Sequence, residues 1–187
     1  MNDVNSNDLT AVQRDQLPFF VVSPMKFGVM TFFTMGFYWL YCFYQSWKLY
    51  GARTGEKVSP FWRSFFALFF IYPLLRRVND HIRDSDRSYS WSILALTLGY
   101  YGMCVVWVVT SIVLENRLWE AYFAGLVSHA AWLIVLVPMQ KGTNFSAGDK
   151  EGLANSRFTL ANWLWMLLFI ALGTAQLFAL IALSSMV

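Results

Sequence analysis

Residues 91–139 read WSILALTLGYYGMCVVWVVTSIVLENRLWEAYFAGLVSHAAWLIVLVPM. Two apolar runs, 91–114 and 119–139, are separated only by a short turn at 115–118. At ~1.5 Å per residue each is long enough to cross a ~30 Å hydrocarbon layer as a helix. Each run opens on a tryptophan, Trp91 and Trp119, the side chain that favours the headgroup level. Neither offers the polar face on which a soluble helix would rest. The stretch therefore sets the class as a helical membrane protein.

The rest of the chain agrees. Of its 187 residues 57% are hydrophobic and only 13% charged, against about 45–50% and roughly 25% in soluble domains; the mean hydropathy is +0.45. Another apolar run fills 163–187, again beginning at a tryptophan, and a further one fills 27–47. Ser23-Pro24 supplies a helix start for that run and Gly51 a stop. The expected fold is all-α: a polytopic membrane helix bundle with four transmembrane helices at 27–47, 91–114, 119–139 and 163–187.

One segment falls short of a crossing. Ser59-Pro60 repeats the helix start, but the uncharged core that follows, 65–75, is 11 residues long and carries Pro73. That length covers about half a bilayer. Beyond it Ile71, Leu74, Leu75, Val78 and Ile82 recur at helical spacing against Arg76, Arg77, Asn79, Asp80 and Arg83. Residues 60–83 are expected to form a short re-entrant or interfacial helix. Residues 1–22, polar and carrying Asp3, Asp8 and Asp15, are expected as a disordered N-terminal segment, with 23–187 a single membrane domain. Residues 1–22 lack the basic start and cleavage pattern of a signal peptide, so the first apolar helix is expected to be retained.

Charge orients the bundle. If 60–83 does not cross, 11 Lys and Arg residues share one side and only Arg14, Lys26 and Arg117 the other; if it crosses, the split becomes 9 to 5. The positive-inside rule prefers the first arrangement, with both termini periplasmic and the basic loops cytoplasmic.

Few templates for chemistry are met. Cys42 and Cys104 lie inside apolar runs, which gives neither a disulfide framework nor a cysteine metal motif. A Gly-rich phosphate loop, a His-Glu-x-x-His motif and a Gly-x-Ser-x-Gly elbow are all missing from the sequence. The expected spans carry no Asp, Glu, Lys or Arg at mid-depth, which weighs against an ion-coupled pump. No catalytic, cofactor-binding or metal residues and no cofactor are expected. The net charge of +3 is too small to suggest nucleic acid.

Four features remain. Asp80, His81 and Asp84 share a helical neighbourhood; they read as a hard-cation site or as a solvated polar face neutralised by Arg83 and Arg87. A basic apron of Lys48, Arg53, Lys57, Arg63, Arg76 and Arg77 is interleaved with Trp47, Tyr50, Phe61 and Trp62. It is suited to anionic lipid headgroups or a partner's acidic surface, or to anchoring alone. The aromatic run 37–44 covers every side of its helix and reads as packing and interfacial belt. His129 and Gln176 each lie near the middle of a span, on helices with small-residue stripes. They form a candidate midplane polar pair, either a site or a single interhelical hydrogen bond.

Several strings point further: Ser23-Pro24-x-Lys26, Tyr38-Trp39-x-Tyr41, Trp47-Lys48, Arg53-Thr54-Gly55-x-Lys57-x-Ser59-Pro60-Phe61-Trp62-Arg63, and Asn155-Ser156-Arg157-Phe158-Thr159 with Asn162. Together they resemble a family of small bacterial membrane proteins of unknown function. The resemblance covers the first third and the C-terminal quarter. It implies a bacterial inner membrane and a shared architecture, and it brings no activity. The function expected is that of a non-enzymatic inner-membrane accessory, assembly, regulatory or immunity-type protein acting through protein or lipid contacts. Its partners would be anionic membrane lipids and a protein in the membrane. The alternative is a small oligomeric transporter or channel using His129 and Gln176. A lipid-modifying enzyme built on His81, Asp80 and Asp84 comes third.

Overall fold

A computed structural model describes residues 17–185. Over these residues the chain is all-helical: α1 Pro24–Phe33, α2 Phe37–Thr54, α3 Pro60–Phe65, α4 Ala67–Asp84, α5 Ile93–Val113, α6 Leu118–Ser146 and α7 Leu160–Ser184, with a 3-10 turn at Leu153–Asn155. Three of them, α5, α6 and α7, are long and apolar enough to cross a membrane.

The α5–α6 pair forms the frame. Gly99 lets α5 approach Val135 of α6 closely. α6 runs past the end expected for it at 139, through Pro138 and Gly142, as far as Ser146. Two contacts account for the extra length. A Cβ on Gly142 would fall within the Trp91 ring, so the glycine serves here as a packing surface. Arg87 then closes the helix, its guanidinium donating to the carbonyls of Phe145 (3.0 Å) and Ser146 (2.8 Å); a cation satisfying final carbonyls is a stable helix end.

The stretch 27–47, expected as one crossing, is two helices. α1 stops at Phe33, Met35 and Gly36 take positive φ (51° and 86°), and α2 begins at Phe37. Glycine accepts that conformation without the cost of a Cβ. Thr34 bridges the break: its hydroxyl donates to the Met30 carbonyl (2.7 Å) and accepts from the Tyr38 N–H (3.0 Å). α1 descends beside α6 from Val22 at Asn144 to Thr31 at His129. α2 then comes back: Trp39 meets Trp132, Ser46 accepts from the Phe20 N–H, and Tyr50 stacks on Phe19. The result is a helical hairpin with both ends at the end of the bundle where α6 finishes. Among the described residues only α5, α6 and α7 are both long and apolar enough to cross.

Residues 60–83 repeat the device. α3 ends at Phe66 and α4 turns back. The Leu68 carbonyl accepts from the Tyr101 hydroxyl (2.9 Å) part-way along α5, while Asn79 meets the Trp91 indole N–H (3.0 Å) before that helix starts. Ala67, Ile71, Leu74, Leu75, Val78 and Ile82 form the buried face of α4, the stripe anticipated from its periodicity. This hairpin also opens at the α6 C-terminal end. Of the expected disordered segment 1–22, residues 1–16 lie outside the described residues, whereas 17–22 pack: Phe19 is 1% and Val22 0% exposed. The ordered domain therefore starts earlier than residue 23, because these apolar side chains are covered by the hairpin and α6.

Candidate functional site

The extended strand leading into α1 is held by amides. Asn144 is fully buried; its Oδ1 accepts from the Val22 N–H (3.2 Å) and its Nδ2 donates to the Val22 carbonyl (2.8 Å). Gln140, one turn earlier, donates to the Phe20 carbonyl (3.0 Å) and to Asn144 Oδ1 (2.9 Å). The two amides thus do for the Phe20 carbonyl and for both backbone groups of Val22 what a neighbouring β-strand would do.

The loop before α7 grips the same strand from the other side. Asn155 Nδ2 donates to the Val21 carbonyl (3.0 Å), and the Ser23 N–H donates to the Asn155 carbonyl (3.3 Å). Lys26, only 3% exposed, donates its ammonium to Asn155 Oδ1 and the Arg157 carbonyl, both at 2.7 Å. Thr159 and Asn162 then open α7 with a capping box. Between the α1–α2 hairpin and α7 this construction leaves a cavity of about 600 Å³. Lys26, Asn155, Thr159 and Asn162 line it at the start of α7, and Met30, Phe37 and Phe169 line it further in.

His129 and Gln176 are not brought together as a pair. The His129 ring lies 3.2 Å from the Thr31 carbonyl and beside Phe32, while Gln176 is exposed on α7. A carbonyl only accepts, so His129 Nε2 carries the proton.

The basic apron divides. Arg63 and Arg77 are half-buried at the base of the hairpins, with their guanidinium groups 4.1 and 5.2 Å from the Trp47 ring centroid. Both pair with Glu56, at 4.0 and 3.3 Å. A hydrogen bond from Tyr50, then the charges of Arg77 and Arg63, hold the Glu56 carboxyl below its ordinary range. Lys48, Arg53, Lys57 and Arg76 are exposed, and Arg76 lies 3.9 Å from Asp80. His81 sits edge-on to Phe19. Burial and the charges of Arg53 and Arg87 lower its pKa, against an opposing pull from Asp84. Asp80 thus faces Arg76, while His81 faces Phe19 and feels the charge of Asp84.

Gln140 and Asn144 were not singled out in the sequence, and Lys26 and Asn155 entered only through the strings that carry the resemblance. Gln140-x-x-x-Asn144 falls after Pro138 in what reads as a loop, and Lys26 reads as a flanking charge. The i, i+4 spacing of the two amides was the one available signal.

These features define an all-helical protein with three helices long and apolar enough to cross a membrane, several of whose buried polar side chains hold the backbone of a broken hairpin. Comparison with protein-family models, with curated proteins and with solved structures finds no match to the chain.

Proposed function

We propose that the protein is a non-enzymatic accessory component of a bacterial inner membrane, acting through lipid and protein contacts at the cytoplasmic leaflet. Segregation of charge carries this reading. Among the Lys and Arg of 17–185, Arg117 alone belongs to the α5–α6 turn; the rest gather around the opposite end of the bundle, where both hairpins open. By the positive-inside rule that end is cytoplasmic. The N-terminal strand then starts in the cytoplasm and α7 ends in the periplasm. This reading puts the N-terminus on the cytoplasmic side, where four crossings would put it in the periplasm, and the fold-back of 24–54 supports it. The bacterial inner membrane is supported by the family resemblance of the Arg53 to Arg63 motif. Lys48, Arg53, Lys57 and Arg76, beside the exposed rings of Phe61 and Trp62, form a surface suited to anionic headgroups or an acidic partner. The side chains of His129, Gln140 and Asn144 are engaged on backbone, at Thr31 and at 20–22, which favours a holding role over catalysis.

One observation favours a second reading. The break at 34–36 adjoins the cavity, and irregular backbone at membrane depth is typical of places that line a pathway. Proteoliposomes separate the two. Under the first reading, ion and solute flux stays at the protein-free level and cross-linking in intact membranes yields a partner at fixed stoichiometry. Flux that scales with protein would support the carrier.

A further inference from the structure

The cavity between the hairpin and α7 has a polarity gradient and a length that suit one kind of molecule. Its volume of about 600 Å³ is in the usual range for small-molecule sites, ~300–1,000 Å³. From Thr159 to Phe169 α7 advances ten residues, ~15 Å at ~1.5 Å per residue. That is half of a ~30 Å hydrocarbon core, the depth of one leaflet. The lining changes over this distance from Lys26, Asn155 and Asn162 to Met30, Phe37 and Phe169. The Phe37 and Phe169 rings meet at 5.2 Å and close the deep end.

The shallow end is furnished with donors. The Lys26 ammonium is fixed there by Asn155 and the Arg157 carbonyl. Asn162 accepts the Thr159 N–H through Oδ1 (3.0 Å), which turns its NH2 group to other acceptors. Charge-assisted N–H donors are the natural partners of phosphate oxygens. We infer that this cavity holds one glycerophospholipid of the same leaflet, with its phosphate at Lys26 and Asn162 and one acyl chain lying along α7 as far as Phe37 and Phe169. The inference rests on the membrane placement proposed above and adds a ligand class to it. A lipid held in this way would add to the direct contact that the hairpin and α7 already make at Phe37 and Phe169.

Native mass spectrometry of the full chain tests this, with dioleoyl phosphatidylglycerol and, separately, dioleoylglycerol added to the detergent. The chain should keep one phosphatidylglycerol at collision energies that strip the remainder, and keep dioleoylglycerol about tenfold less. Ala161→Trp, at an exposed position in the cavity wall, should lower retention by a similar factor. Val108→Trp, in the separate apolar groove beside α5, should leave it unchanged. Asn162→Asp keeps the cap of α7 and adds a negative charge at the mouth, so it should also lower retention even if the tryptophan variant does not fold. Equal retention by Asn162→Asp and the native chain would overturn the inference, as would equal retention of the two lipids. Retention that appears only after residues 1–16 are removed would overturn it too, by making that segment the native occupant. The flux and cross-linking outcomes do not depend on these results.

Discussion

The imidazole of His129, half-way along α6, stands 3.2 Å from the carbonyl oxygen of Thr31 in the last turn of α1. The same carbonyl accepts the Gly36 N–H at 2.8 Å. A helix that stops inside a bilayer leaves carbonyls with no water to receive them. Here a side chain from the neighbouring helix and the chain's own reversal share the task. His129 is thereby a fitting for the broken hairpin.

His129→Leu should lower stability in detergent by about 1 kcal/mol, the scale of one interhelical hydrogen bond in membrane proteins. His129→Gln, which keeps a donor, should recover part of the loss. Gln176→Leu, at an exposed position, should change the melting temperature little. Thermal unfolding followed by circular dichroism reads all three.

Asn144→Ala should be more damaging. It leaves both the N–H and the carbonyl of Val22 without their partner, and each unsatisfied buried group costs about 1–3 kcal/mol. A total loss of about 2 kcal/mol or more is expected in the same measurement. A loss no greater than that of His129→Leu would mean that 20–22 is not held by the clamp.

Two glycines in one loop separate backbone strain from steric fit. Gly148 and Gly152 both take positive φ, 80° and 68°, so alanine costs each about 1 kcal/mol in conformation. Only at Gly152 would the new methyl run into the backbone of Val22 and Ser23; at Gly148 it meets open space. Gly152→Ala should therefore unfold at clearly lower temperature than Gly148→Ala.

His81 gives a pH dependence. Its folded-state pKa is lowered, by burial first and then by Arg53 and Arg87, whereas an unfolded histidine titrates near ~6.5. Between those values the unfolded chain binds more protons, so stability rises with pH across the window. The contribution is complete above about pH 6.5 and is lost as pH falls through the folded pKa. Melting temperatures from mildly acidic to neutral pH should climb in the native chain and climb less in His81→Gln.

The helices of crossing length were legible because hydropathy and length carry that information directly, and 91–114, 119–139 and 163–187 reappear as α5, α6 and α7. The face of α4 was legible for a different reason: its charged side contrasts with Ile71, Leu74, Leu75, Val78 and Ile82 at period 3.6. The break at 34–36 was not. Both flanks are apolar, so hydropathy has no contrast there, and a lone glycine is common in transmembrane helices. The partner of His129 was hidden as well, because a backbone carbonyl has no residue signature. Gln140 and Asn144 were obscured by Pro138 and Gly142, which read as helix stops until Trp91 is seen packed on the glycine.

The central claim is that 24–54 enters and leaves the membrane on one face. Single cysteines at Leu17→Cys, Lys57→Cys and Glu115→Cys, in a chain with Cys42→Ala and Cys104→Ala, test it through labelling by a membrane-impermeant maleimide in intact cells and in inverted vesicles. The account predicts that positions 17 and 57 label from the same face and position 115 from the opposite one. Labelling of position 17 from the face of position 115 would make 24–54 a crossing and contradict the hairpin.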